Sequence, residues 1–190
     1  RSGIGVREVG YDDVFVAGLT RIFNESPMRQ GRPFWHFGKS EDTVREQFSR
    51  FLHRETLLAA FLDGEMVGAL MLSRSGDVAV PSQIIASLGA RDKGTSNALV
   101  AKAVETCERL GVRYFVYFHW SDDSLSEFKR RCGFERVSVP RYYVPLTARG
   151  AMAIRLGVHR GLGSMIPSGV RSRLKQVRAR LLQYKYGAGD

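Results

Sequence analysis

Two patterns stand back to back in the middle of this chain, and together they leave few folds open. The first is a hairpin: TLLAAFL (56–62), then Asp63-Gly64, then EMVGALMLS (65–73). Asp-Gly supplies the positive φ angles of a type I′ turn, so two antiparallel strands are expected. The second is a strand over Val78–Leu88, a helix over Ala98–Leu110 and a buried strand over Val112–Phe118 (VRYFVYF). Val100, Ala103, Val104, Cys107 and Leu110 recur at helical spacing, and Gly111 stops the helix. A strand–helix–strand passage implies parallel pairing, with antiparallel hairpins beside it. The expected fold is therefore α/β: one mixed sheet with helices on both faces.

The flanks fit that plan. Ile4–Glu8 reads as a strand, and Asp12 or Asp13 can cap a helix that turns Phe15, Leu19, Ile22 and Phe23 inward. A long connection, Asn24–Lys39, holds RQGRPFWHFGK. Ser40 then caps a second helix, with Glu41 and Asp42 in its first turn and Val44, Phe48, Phe51 and Leu52 on its buried face. A short helix is expected over Asp122–Cys132, ending at Gly133, followed by two strands, Phe134–Val139 and Tyr142–Leu146.

Charge divides the chain unevenly. Of a net +10 over 190 residues, the stretch 147–190 carries nine Lys/Arg against Asp190 alone, a balance of +8. Residues 1–146 hold the other twenty basic and eighteen acidic residues, a balance of +2. The organisation expected is one domain over 1–146 and a basic helical extension over 147–190. In the extension Pro167 and Ser168 open a helix on which Val170, Leu174, Val177, Leu181 and Tyr184 form one face. That helix could lie on an anionic membrane surface, bind RNA phosphates, or pack its apolar face on the body.

No apolar run approaches the ~20 residues that span a bilayer, and Arg1-Ser2-Gly3 opens no charged-then-apolar leader. A cytoplasmic protein is expected, peripheral to a membrane if its tail lies on one. Cys107 and Cys132 lack metal-ligand spacing and are expected to be buried free thiols rather than a disulfide. No metal is expected.

The stretch most suggestive of chemistry is RDKGTSN (91–97), between the strand and the helix. Free N–H groups at a helix start attract an anion, Gly94 lets backbone approach it, and Arg91 and Lys93 add positive charge. In the alternative reading Thr95 or Ser96 is simply an N-cap. With the order of elements, this turn resembles the Gln/Arg-x-x-Gly-x-Gly/Ala motif of the GNAT acyltransferase superfamily, with Ser96 in the last small position. The resemblance implies that Arg91, Lys93, Gly94, Thr95, Ser96 and Asn97 hold the pyrophosphate of acetyl-CoA or another acyl-CoA. It spans about residues 4–146.

The superfamily's Tyr-x-x-x-Gly-Phe has a counterpart in SEFKRRCGFE, where Lys129 stands in place of the Tyr. Phe128-Lys129 before Gly133 is similar to Fem-type transferases, which move aminoacyl groups from charged tRNA to cell-wall precursors. As a lone domain, the chain departs from their usual two. Lys129 is a candidate oxyanion stabiliser, phosphate clamp or leaving-group acid, or else a solvated residue of its helix. His119, at the carboxyl end of VRYFVYF, is a candidate general base or a structural histidine. Arg29, Arg32, Trp35 and His36 would face an anionic or glycan acceptor, or form a packed lid. Tyr142 and Tyr143 are expected mainly as residues of the last strand.

These readings converge on acyl transfer, most simply acetylation of an amine on a small molecule or sugar. The alternatives are a Fem-like aminoacyl or acyl transferase of cell-envelope or polysaccharide assembly, and a catalytically silent domain that binds a ligand.

Overall fold

A computed structural model describes residues 3–118, 120 and 124–157. In chain order the elements are β1 (Gly5–Val9), α1 (Asp13–Phe23), β2 (Met28–Arg29), β3 (Arg32–Pro33), α2 (Glu41–Ser49), β4 (Glu55–Leu62), β5 (Glu65–Ser75) and β6 (Val78–Ala86). Then follow α3 (Thr95–Arg109), β7 (Tyr114–Phe115), α4 (Ser124–Arg131) and α5 (Ala148–Arg155). They divide between two compact units. The first holds the chain up to Pro27 together with Trp35–Arg136, and the second holds Met28–Phe34 and the chain from Val137 onward.

In the first unit five strands form a sheet in the order β1-β4-β5-β6-β7. Neighbours are antiparallel except β6 and β7, which are parallel. Both organising patterns thus fold as expected. Asp63 (φ 50°) and Gly64 (φ 86°) make the tight turn between β4 and β5. Strand alternation sends successive residues to opposite faces. On one face Leu58, Ala60, Leu70 and Leu72 pack with Leu99, Val100, Ala103 and Cys107 of α3. Their alternates, Leu57, Ala59, Ala69 and Met71, are buried on the other face. There α1 lies so close that a Cβ on Gly18 would stand 2.7 Å from Met66 Sδ.

The caps follow local chemistry. Asp12 accepts the Phe15 N–H at 2.8 Å, and Ser40 Oγ accepts the Thr43 N–H at 3.3 Å. The buried face of α2 is narrower than expected. Val44 is buried, Phe48 and Leu52 are half-buried, and Phe51 is exposed.

The β6–β7 pairing decides where a ligand can enter. It matches Val78 with Tyr114 and Ala79 with Phe115, and the Val116 N–H still donates to Ala79 O at 2.9 Å. Past that point β6 continues to Ala86 without β7 beside it in register. The two strands therefore part towards the carboxyl end of β6, and β7 does not run beside Val80–Ile85.

Three expectations need correction. The strand expected over Val112–Phe118 is confined to Tyr114–Phe115, because pairing with β6 stops there. The α3 helix starts at Thr95, three residues earlier than expected. Phe134–Val139 and Tyr142–Leu146 form no strands. Pro140 and Pro145 remove two ladder donors from that segment. Phe134 still packs on the core, but the later apolar side chains stand exposed, Val139 at 78% and Leu146 at 91%.

The second unit contains a small β2–β3 hairpin, turned at Gln30 (φ 53°) and Gly31 (φ 71°). It also contains α5, whose N-cap Thr147 accepts the Gly150 N–H at 3.0 Å. The helix expected from Pro167 lies outside the described residues. Among the described residues no helix is long and apolar enough to cross a membrane.

Candidate active site

The turn between β6 and α3 is built almost entirely from backbone. The Ser87 N–H donates to Val67 O at 2.8 Å, and a single 3-10 turn covers Leu88–Ala90. Gly94 is the N-cap, with φ 76°, a left-handed conformation that glycine adopts at least cost. No side chain caps the helix, so the reading of Thr95 or Ser96 as N-cap does not hold. Thr95 is fully buried instead, and its hydroxyl donates to Ala90 O at 2.6 Å. The first intrahelical bond is the Ala98 N–H to Gly94 O at 3.0 Å. That leaves the N–H groups of Thr95, Ser96 and Asn97 pointing out of the helix start, along the positive end of its dipole. Arg91 and Lys93 are exposed beside them. An anion placed there would meet aligned donors, two cations and no competing cap.

This turn stands just beyond the carboxyl end of β6. A ligand with phosphates at the turn and a linear arm could run along β6 towards the point where β7 departs. Acyl-CoA has that shape, and the residues present fit it.

The remaining expected site residues are placed as follows. Lys129 is not on a solvated face. It is fully buried, donates from Nζ to Phe118 O at 2.7 Å, and stands 4.1 Å from the centre of the Tyr117 ring. Its ammonium thus ties α4 to the chain leaving β7. His119 lies outside the described residues. His36 is 1% exposed, stacked on Phe23 at 4.2 Å and close to Trp35 and Phe48. Burial, with a smaller contribution from the Lys39 charge, lowers its pKa to about 4. Lys39 Nζ lies 3.2 Å from His36 Nδ1, so the neutral ring accepts there and the imidazole serves as core.

Trp35 is 70% exposed, with the Lys39 ammonium 4.2 Å over its ring. Arg29 and Arg32 belong to the second unit, where Arg29 stacks on Phe34 at 5.0 Å. The four expected acceptor residues are therefore divided between the two units. Tyr142 and Tyr143 are both exposed.

Cys107 and Cys132 are free, the first buried and the second half-buried. Burial pushes both thiols up, which leaves neither activated as a nucleophile. Among the described residues no group of His, Cys, Asp or Glu could hold a metal ion.

Sequence reasoning passed over Glu55. The first residue of β4, it accepts hydrogen bonds from serines on the two next strands, Ser73 at 2.7 Å and Ser82 at 2.9 Å. No local motif announces such a cluster, because its members lie 18 and 27 positions apart.

Comparison with known proteins agrees with this geometry. A family model described as the acetyltransferase (GNAT) family matches residues 19–134, and the chain belongs to that family. It is an acetyltransferase of the GNAT type. No curated protein sequence matches it.

Among solved structures it is similar to the aminoglycoside acetyltransferase AAC(6')-Iy, solved with a CoA-containing bisubstrate analogue. The identity is 16% and the TM-score 0.55, over 74% of this chain and 97% of that one. It is also similar to AAC(6')-Ih from Acinetobacter baumannii, at 14% identity and TM-score 0.54 over 77% and 100% of the two chains. The ribosomal-protein-S18-alanine N-acetyltransferase from Escherichia coli matches at 18% identity and TM-score 0.54, over 76% and 85%. At these identities the likeness is one of fold.

Proposed function

We propose that this protein transfers an acetyl group from acetyl-CoA to an amine of a small molecule or sugar. The observation that carries the reading is the start of α3, which no side chain caps, just beyond the stretch of β6 from which β7 departs. In this reading the Thr95, Ser96 and Asn97 N–H groups receive the pyrophosphate, and Arg91 and Lys93 offset its charge. Gly94 keeps that approach free of a side chain. Acetyl-CoA would supply an activated thioester, so the protein's share is largely to hold the two reactants in register. Lys129, committed to Phe118 O, positions the chain beyond β7 rather than acting as a mobile acid. Two of the structural relatives above are aminoglycoside acetyltransferases, which supports a small polyamine or amino sugar as acceptor class. The Fem-type alternative gains nothing from the family match, and Lys129 is buried where that resemblance would want it at a ligand.

The test is thiol release from acetyl-CoA across a panel of amino sugars, aminoglycosides and simple amines. Turnover with one class names the acceptor. Tight acetyl-CoA binding with no turnover on any would instead identify a silent binding domain.

A further inference from the structure

Glu55 is a carboxylate held ready on the face of the sheet that carries α1. It pairs in register with Ser73, which pairs in turn with Val80, so three adjacent strands contribute to the same patch. Both serine hydroxyls reach one oxygen, Oε1, although Ser82 shares its single proton with Met71 O at 3.1 Å. The second oxygen, Oε2, accepts no hydrogen bond, and Glu55 forms no ion pair among the described residues. Arg45 is bonded to Asp13 at 2.6 Å. Tyr11, whose pKa is raised by burial and to a lesser degree by the Glu55 charge, lies near the carboxylate, but its hydroxyl is engaged by backbone, shared between Val44 O at 3.1 Å and Arg45 O at 2.8 Å. A half-buried carboxylate that is oriented by hydrogen bonds but lacks a countercharge is a seat for a cation.

Its position gives the cation a role. Ser82 is the extra residue of β6, between the pairs Met71–Gln83 and Leu72–Pro81, and it is exposed. It stands three residues beyond Ala79, where β7 leaves, or about 10 Å along the strand. In the acetyl-transfer reading, a thioester arm reaching from the α3 turn along β6 would run towards this stretch of the strand. One anionic oxygen, Oε2, on a carboxylate whose other oxygen is held by hydroxyls suits a primary ammonium, whereas a metal ion would want several ligands.

We propose that Glu55, oriented by Ser73 and Ser82, is the specificity-determining seat on which the acceptor's amine arrives protonated; the ammonium releases a proton to solvent before its lone pair attacks the thioester carbonyl and the CoA thiolate leaves. The acceptor class is therefore a cationic primary amine. The inference rests on the acetyl-transfer reading above, but the site itself can be examined without it.

The direct test needs no CoA. The full chain is labelled at glutamate Cδ and titrated with n-propylammonium chloride, with sodium chloride at matched ionic strength as control. The Glu55 resonance is identified by its loss in Glu55→Gln, which keeps an acceptor at Oε1 and alters no volume. A saturable shift at Glu55, weakened severalfold in Ser82→Ala, is the expected result. No shift, or the same drift at every exposed glutamate, overturns the seat.

The second arm measures acetyl-CoA affinity and amine turnover together. Glu55→Gln is expected to lower kcat/KM for cationic amines at least about tenfold, the loss of one charge-assisted hydrogen bond, with acetyl-CoA affinity unchanged. Undiminished turnover in that variant contradicts the proposal while leaving acetyl transfer standing. Failure of acetyl-CoA itself to bind would strike the functional reading, whereas the resonance shift would still report on the seat.

Discussion

Thr95 and Gly68 are fitted to one another: a Cβ built on Gly68 would stand 2.7 Å from Thr95 Cγ2. The contact locks the first residue of α3 onto β5, just as the Thr95 hydroxyl locks it onto Ala90. The N–H groups at the helix start therefore have a fixed direction.

Gly68→Ala should push the start of α3 away from the sheet. Leu99 Cδ1 and Ile85 O, each 3.1 Å from the same added atom, leave no easier route for relief. Overpacking of this kind costs about 1–3 kcal/mol. Urea denaturation should show the loss, and acetyl-CoA affinity should fall with it. Adding Thr95→Ser, which keeps the hydroxyl and removes the methyl, should recover part of both. Simple additivity in the double variant would contradict the coupling.

Lys129 should behave as a clamp. Lys129→Met removes the charged donor to Phe118 O and with it the tie between α4 and the chain beyond β7. The expected cost is about 1–3 kcal/mol, read as a lower midpoint of thermal unfolding. Acetyl-CoA binding at the α3 turn should persist below that midpoint. A variant of unaltered stability that has lost only turnover would instead make Lys129 a catalytic residue.

His36 should make the protein acid-sensitive. Its pKa is about 4 in the folded chain, below the ordinary value of 6.5. The unfolded state therefore binds the proton first, and stability present above pH 6.5 is lost as pH falls towards 4. The contribution is at most about 3 kcal/mol. His36→Phe should fill the slot between Phe23 and Phe48 and flatten that dependence. Urea midpoints at pH 5 and 7.5 compare the two. Parallel losses in both proteins would mean that His36 does not carry the effect.

Buried thiols should react slowly. With both raised by burial, Cys107 and Cys132 should be alkylated at neutral pH far more slowly than an exposed cysteine in a short peptide. Rapid labelling of either, followed by mass spectrometry, would show an activated thiol and reopen a covalent route.

The fold was legible where local chemistry dictates it. Asp63-Gly64 requires positive φ, Asp12 and Ser40 offer caps, and β6–α3–β7 can pair in only one sense. The glycine of the RDKGTSN turn was legible for the same reason, since Gly94 takes a left-handed conformation as the N-cap of α3. What failed to show was tertiary. Nothing near Lys129 in sequence reveals that its helix is turned inward, or that Phe118 O awaits it. His36 looks like a ligand-facing residue until Phe23, from the preceding helix, covers it. Glu55 gains its meaning from Ser73 and Ser82, each on a different strand. The last two expected strands were over-read, because apolar alternation outweighed Pro140 and Pro145.

The account stands or falls on the α3 turn, and the measurement that addresses it most directly is a calorimetric titration of acetyl-CoA into the wild-type protein and Gly94→Asp. The variant places a carboxylate at a left-handed position where the pyrophosphate should lie, and circular dichroism establishes that it folds. Saturable binding by the wild type, weakened at least about tenfold in the variant, is the result predicted, as expected when a charge-assisted contact is replaced by repulsion. Absence of binding by the wild type, or equal binding by both, would contradict the claim that this turn holds the cofactor.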